Sequence, residues 1–323
     1  MAEAKGGGRL KGRVAIVTGS GRGIGAAEAK LLAAEGARVV VNDVFLEKRG
    51  EPDEKAIADD VVREIRAAGG EAVASTASVT SLDGAQRIVN TALNEYGQLD
   101  ILINNAGNVR PGAIYEMPET DWDRVIQVHL KGAFNMIRAA SPTLCKQGSG
   151  VIINTGSESG LGHPGMANYS AAKEGVIGLT RAVARELGRF GVRCNAIRPR
   201  ALTRSVQNFS STSFSPWRAL ETALGRYSLG DRGHIPTNGS PEQVAPLVVW
   251  LCTDAAKNVN GRTFFVGGDE IGLFSEPAVE CSLSRMGGWD LDALDGYARQ
   301  RLIGDLVNQF ALDDHPELKK YPG

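Results

Sequence analysis

Tyr169 and Lys173 stand four residues apart at the head of a long run with helical periodicity over 168–190. In a helix that spacing places both side chains on one face. A phenol titrates near pH 10, so accepting a proton at neutral pH requires a shift of about 3 units, or roughly 4 kcal/mol. One positive charge about 4 Å away supplies roughly that much at an effective dielectric of about 20. A Tyr-x-x-x-Lys pair can therefore form a phenolate that takes the proton of an alcohol while hydride leaves the carbinol carbon. The same spacing occurs on many solvated helix faces, so the pair gains meaning only from its surroundings.

The second constellation is Thr18-Gly-Ser-Gly-Arg-Gly-Ile-Gly25, which follows the apolar run 13–17 and opens an Ala-rich helix over 26–35. Gly19, Gly23 and Gly25 let the backbone approach a pyrophosphate, and the helix N-terminus supplies free N–H groups and a positive dipole end. The next strand, 37–43, ends in Asp43. A carboxylate there bonds the adenosine ribose hydroxyls and repels a 2′-phosphate, which favours NAD over NADP. Arg22, a cation within the glycine turn, is the counter-signal.

These groups need a scaffold. Short apolar runs over 71–78, 101–103, 151–155, 192–197 and 263–266 read as further strands. Between them lie helical stretches over 56–68, 81–96 with Ser81 as N-cap, 120–146 containing His129, and 168–190. A charged loop covers 45–55. Regular β-α alternation implies an α/β fold, a doubly wound parallel sheet with ligands at the carboxyl ends of its strands. Thr18, Asp43, Ser78, Asn105, Ser157 and Pro199 all fall at such ends, and Asn104-Asn-Ala-Gly107 is small enough for close cofactor contact.

Composition removes other classes. With 42% hydrophobic and 23% charged residues and a net charge of −1, the chain has no basic excess for nucleic acid or an anionic membrane surface. No apolar run approaches a membrane span. Cys145, Cys194, Cys252 and Cys281 are scattered without metal-ligand spacing, so no metal site is expected and reduced thiols in a cytoplasmic setting are. Residues 1–9 read as a flexible polar arm without an apolar signal segment.

Together, Thr18 to Gly25, Asn104 to Gly107, Ser157, Tyr169 with Lys173 and the Pro199 loop resemble the short-chain dehydrogenase/reductase family over residues 10–268. The resemblance implies a Rossmann fold and NAD(P)-dependent interconversion of a secondary alcohol and a ketone. It implies Tyr169 as general acid/base, Lys173 on the nicotinamide ribose, and Ser157 on the substrate oxygen. Gly19, Arg22, Gly23, Ile24, Gly25, Asp43, Ser78, Val79, Asn105, Ala106, Gly107, Tyr169, Lys173, Pro199 and Ala201 would line the cofactor. A small-molecule alcohol or ketone would be the partner, within a homo-oligomer (dimer or tetramer). A narrower likeness, through Val40 to Asp43, Val128-His-Leu130, Ser157 to Gly160, Ala167 to Lys173 and Val244 to Cys252, is to the (3R)-hydroxyacyl-CoA dehydrogenase unit of multifunctional β-oxidation enzymes and to hydroxysteroid dehydrogenases.

Departures from the family pattern leave alternatives open. His129 stands where many members carry a proton-relaying Asn, and serves either that relay or the helix core. Ser157 lies one residue closer to Tyr169 than usual, implying a shortened loop over 161–165, with Ser159 as the alternative. Arg200 follows Pro199 where a glycine is common. It or Arg204 meets an anionic ligand group or forms a surface salt bridge. The insertion 204–239 carries Phe209, Phe214, Trp217 and Tyr227, which either line an apolar pocket or anchor the loop. Residues 269–323 read as an extension with amphipathic helices after Asp290 and over 300–312, packing on this or a neighbouring subunit. The expected activity is an NAD-dependent alcohol/ketone oxidoreductase acting on an apolar, ring-containing or acyl-CoA substrate. The rivals are an NADPH-dependent ketoreductase and a non-catalytic cofactor-sensing protein.

Overall fold

The computed structural model describes residues 8–44, 57–202 and 239–304, the paired backbone segments 47–48 and 51–52, and residues 306, 308 and 310. Arg204, the four insertion aromatics and the tail after 310 lie outside the described residues.

Strand β1 (Val14–Thr18) is apolar up to its last residue, Thr18, because both its faces are covered, and all five residues are buried. Ala15 and Val17 enter one core with α1 (Gly23–Ala34) and α2 (Ile57–Ala67). Val14 and Ile16 enter the opposite core with α3 (Leu82–Tyr96). β2 (Arg38–Asn42) and β3 (Glu71–Ser75) extend the sheet on one side of β1. β4 (Ile101–Asn104), β5 (Gly150–Thr155) and β6 (Val192–Arg200) extend it on the other. β7 (Thr263–Gly267) runs parallel to β6, and β8 (Glu270–Leu273) folds back antiparallel onto β7. The order is β8-β7-β6-β5-β4-β1-β2-β3, an eight-stranded doubly wound sheet whose strand order reverses between β1 and β4. β8 lies beyond residue 268, where the sequence reading ended the dehydrogenase domain.

Three expectations change. The helix expected over 120–146 is α4 (Glu119–Ile126), a π turn (Gln127–Lys131) and α5 (Gly132–Gln147), so the ladder is interrupted at His129. β6 does not stop at Ile197. It stays paired with β7 through Pro199 and Arg200, after its pairing with β5 has ended at Thr155–Ile197. The proline therefore sits where one side of the strand has already been released, and no sheet hydrogen bond is lost.

The described residues form two compact units. One comprises 8–202 and 239–274, and includes α6 (Ala167–Leu187) and α7 (Pro241–Cys252). The other, 275–310, contains α8 (Leu291–Arg301). Asp290 caps α8 through Ala293 N (2.7 Å) and pairs with Arg285 (2.7 Å), which holds its carboxyl below the usual range. The helix expected over 300–312 is the third changed expectation, because α8 ends at Arg301 and no helix resumes among the described residues that follow. Gly304, three residues on, has the weakest helix propensity after proline.

Glu28 of α1 is fully buried in the first core, and neither carboxyl oxygen has a partner. Burial pushes its pKa up to about 8 from an ordinary value of 4.5. The folded chain therefore holds a proton that the unfolded chain releases between those values. In that window this residue makes stability fall with rising pH, by at most ~1.4 kcal/mol per unit. Glu28→Gln should flatten that slope in urea unfolding followed from pH 5 to 8; parallel curves for the two proteins would show that Glu28 is solvated and ionised.

Candidate active site

The strand-order reversal brings the ends of β1 and β4 side by side. Thr18 Oγ1 donates to Ile103 O (3.2 Å) and accepts from the N–H groups of Asn105 and Ala106 (both 3.1 Å). Asn105 Nδ2 returns two bonds, to Thr18 O and Gly19 O (both 3.0 Å). This crossed set fixes the crevice where an open α/β sheet binds its ligand. Behind it, a Cβ on Gly25 would lie 2.4 Å from Asn105 Nδ2 and 2.6 Å from Gly19 O, so only glycine permits the approach. Ile24 packs against the core, Arg22 is exposed, and no side chain caps the start of α1, leaving the first-turn N–H groups at Gly23 to Gly25 available to an anion.

Asp43 continues the crevice. Its Oδ2 accepts from Gly21 N and its Oδ1 from Val44 N, each at 2.9 Å. Burial raises its pKa, while those bonds and the Arg22 charge oppose the rise. Lone pairs remain on both oxygens for hydroxyl donors. Ser78 bonds Thr80 (2.9 Å), and Val79, whose carbonyl accepts from Asn135 Nδ2 (2.9 Å), lines one cavity with Thr18 at the end of β1. An uncapped helix start, a glycine cradle that a Cβ would fill and a carboxylate at the end of β2 with lone pairs left for hydroxyl donors together fit a nicotinamide dinucleotide.

Tyr169 and Lys173 share one face of α6, with Lys173 Nζ 5.5 Å from the phenol ring centroid. Lys173 is only 3% exposed, and Nζ donates to Thr155 O (2.6 Å) at the end of β5. Desolvation lowers its pKa from 10.5 to about 7. His129, in the π turn, meets the Tyr169 ring edge-on at 5.1 Å. Burial first, and the Lys173 charge second, lower its pKa to about 3, so the imidazole is neutral. Its Nε2 lies 2.7 Å from Asn108 O and 3.1 Å from Asn108 N, so it donates to the first or accepts from the second according to the tautomer. Gly107 packs against this ring. Nδ1, Asn104 Oδ1 and Thr155 Oγ1 are buried without a protein partner, and their residues line one small cavity with Lys173 and Thr18.

Ser157 follows β5 and caps a 3₁₀ turn, Glu158–Leu161. Its Oγ accepts from Ser159 N (3.1 Å), so its own O–H is free to donate to a substrate oxygen. Ser159 Oγ instead contacts His163 Nδ1 (3.2 Å). The short 161–165 loop turns at Gly162 and Gly165, both with positive φ. Arg200, the candidate anion ligand, makes its ion pair with buried Glu158 at 2.6 Å, and Ala201 is buried directly after it.

Sequence reasoning did not single out Thr18 Oγ1, Thr155, Asn108 or Arg198. The available signal was polarity out of place: Asn104, Asn154 and Thr155 interrupt strands that are otherwise apolar, and Asn104 Nδ2 bonds Asn154 Oδ1 (2.8 Å) in the sheet interior. Among the described residues no group of three or more His, Cys, Asp or Glu could hold a metal, and no helix is long and apolar enough to cross a membrane.

Residues 13–212 match the family model described as short chain dehydrogenase. A crystal structure of a short chain dehydrogenase from Mycobacterium avium is similar with a TM-score of 0.75 and 40% identity, covering 91% of this chain and 95% of that one. A 3-oxoacyl-[acyl-carrier-protein] reductase of Thermotoga maritima is 36% identical over 261 residues, 80% of this chain and 98% of that protein. The peroxisomal multifunctional enzyme type 2 of Drosophila melanogaster is 47% identical over 252 residues, 77% of this chain but only 38% of that enzyme.

Because the Gly25 site abuts main chain that cannot move aside, Gly25→Ala should lower stability by about 1–3 kcal/mol. It should also weaken dinucleotide binding at least about tenfold, ~1.4 kcal/mol. Urea unfolding and a fluorescence titration with NADH measure the two effects, and wild-type values in both would mean the cradle is looser than described.

Proposed function

The chain belongs to the short-chain dehydrogenase/reductase family, and from that premise we propose that it is an NAD-dependent enzyme interconverting a secondary alcohol and a ketone through Ser157, Tyr169 and Lys173. The observation carrying this reading is the buried Lys173 beside the Tyr169 ring, held by the carbonyl of Thr155 two residues before Ser157. The nicotinamide cofactor supplies the hydride exchange. The chain supplies the rest: Ser157 donates to the substrate oxygen, and Tyr169 takes its proton in oxidation or returns it in reduction. Lys173 as a lone cation is disfavoured by burial, so an oxyanion beside it restores its charge and the two ionisations are coupled. His129, neutral and lining the same cavity as Lys173, can relay a proton there through its ring nitrogens.

Asp43 supports NAD, since a 2′-phosphate would meet a carboxylate already fixed by two backbone N–H groups. Likeness to a peroxisomal multifunctional enzyme goes with an apolar, ring-containing or acyl-CoA substrate. A second reading, NADPH-dependent ketone reduction, draws on likeness to a 3-oxoacyl-[acyl-carrier-protein] reductase and on exposed Arg22 in the glycine turn. A homo-oligomer in a cytoplasmic setting completes the proposal.

Tyr169→Phe should lower turnover of (3R)-hydroxyacyl-CoAs or hydroxysteroids by about 10²–10⁴-fold while NADH affinity is kept. Unchanged turnover in that variant removes the mechanism. The wild type should bind NADH at least about tenfold more tightly than NADPH, ~1.4 kcal/mol, and Asp43→Ser should narrow the gap; the opposite preference selects the reductase reading.

A further inference from the structure

We infer that Arg198 is a positioning residue that locks the Ser157 turn to the helix carrying Tyr169 and Lys173, an inference that rests on the role proposed for Ser157. Arg198 lies on β6, and its side chain is 3% exposed. Nη1 donates to the carbonyl of Ser157 (2.7 Å), and Nη2 pairs with Glu174 Oε2 (2.7 Å). The guanidinium also lies over the ring of Phe274, 5.0 Å from its centroid. Glu174 directly follows Lys173 in α6. One planar group thus bridges the two segments whose relative placement the reaction requires, 17 residues apart in sequence (157 to 174).

The choice of arginine follows from geometry. Its fork presents separate N–H donors in a fixed plane, so two acceptors on different elements can be held at once. A lysine offers a single point charge on a flexible stem. A buried cation needs its partner, and Glu174 supplies the opposite charge. The turn is shaped to admit the pair: a Cβ on Gly160 would lie 2.8 Å from both Arg198 Nη1 and Glu174 Oε2. Two residues along the same strand face, Arg200 donates through Nε to Glu158 Oε2 (2.6 Å). Successive residues of the turn are therefore gripped from β6, Ser157 by its backbone and Glu158 by its side chain. Fixing the Ser157 carbonyl sets the orientation of that residue, and with it the direction in which its hydroxyl donates. Misplacement of a reacting group by about 1 Å can cost about 10²-fold in rate.

The test is a double-mutant cycle between Arg198→Met and Ser157→Ala, assayed with NAD and the (3R)-hydroxyacyl-CoA or hydroxysteroid that the wild type turns over best. Arg198→Met alone is expected to lower kcat at least about tenfold with KM and NADH affinity nearly unchanged. In the Ser157→Ala background it should cost almost nothing further, because its effect passes through Ser157. Hydrogen exchange of the peptide spanning 156–162 should quicken in Arg198→Met while the glycine-turn peptide at 18–25 is unaffected. Should Arg198→Met fail to fold, Glu174→Gln, altering a side chain that is 43% exposed, tests the same bridge, with a smaller loss of kcat that is likewise absorbed by Ser157→Ala. Effects that multiply with Ser157→Ala, or wild-type kcat in Arg198→Met, overturn the inference while leaving Ser157 in place. Full activity in Ser157→Ala overturns the site reading itself.

Discussion

Burying the ammonium of Lys173 is the constraint around which the site is arranged. A cation this far from water is costly unless polar groups replace its hydration, and the protein provides them at strand ends. Thr155 gives its carbonyl from β5, and Thr18 and Asn104 border the same cavity from β1 and β4. The same burial keeps His129 neutral, so one desolvated pocket lowers the pKa of both groups. A parallel sheet suits this task, because all its inner strands end at one edge and can each deliver one polar atom to a common point.

Much of this was legible in the chain. Short apolar runs without alternation gave the inner strands, since both faces of the sheet are covered. The glycines from Gly19 to Gly25, Asp43, and Tyr169 with Lys173 are identified by type and spacing, because each does a job that few residues can do. What could not be read lies in contacts across long separations or in features with no compositional mark. The carbonyl that holds Lys173 belongs to a backbone, which every residue has. The π turn at His129 is a shift of hydrogen-bond partners within a sequence that reads as ordinary helix. Glu28 has the look of a surface residue in an Ala-rich helix, and only packing between α1 and α7 shows it to be enclosed. β8 follows a two-residue turn after β7 and is half exposed, so its apolar content is too sparse to announce a strand.

Arginines on β6 show how a departure from a family pattern changes sense once contacts are visible. At the sequence level, Arg200 is a large cation where a glycine is common, and an anionic ligand is one natural partner. In the fold it meets Glu158, the residue after Ser157, so its charge is engaged within the protein. The strand can carry arginines at 198 and 200 because β5 has already stopped pairing at Ile197, which frees the side of β6 that faces the turn.

The stacking of Phe274 on Arg198 has a consequence for the order in which the molecule becomes competent. During synthesis the first six strands can pair once residue 200 has emerged, and the glycine turn, Tyr169 and Lys173 are by then in the chain. The aromatic lid on the guanidinium arrives more than 70 residues later (198 to 274), after β7 and β8 have been added at the sheet edge. Nascent chains stopped short of that point would carry the catalytic side chains without the last contact that closes over Arg198, so maturation of the turn is tied to the final strands of the sheet.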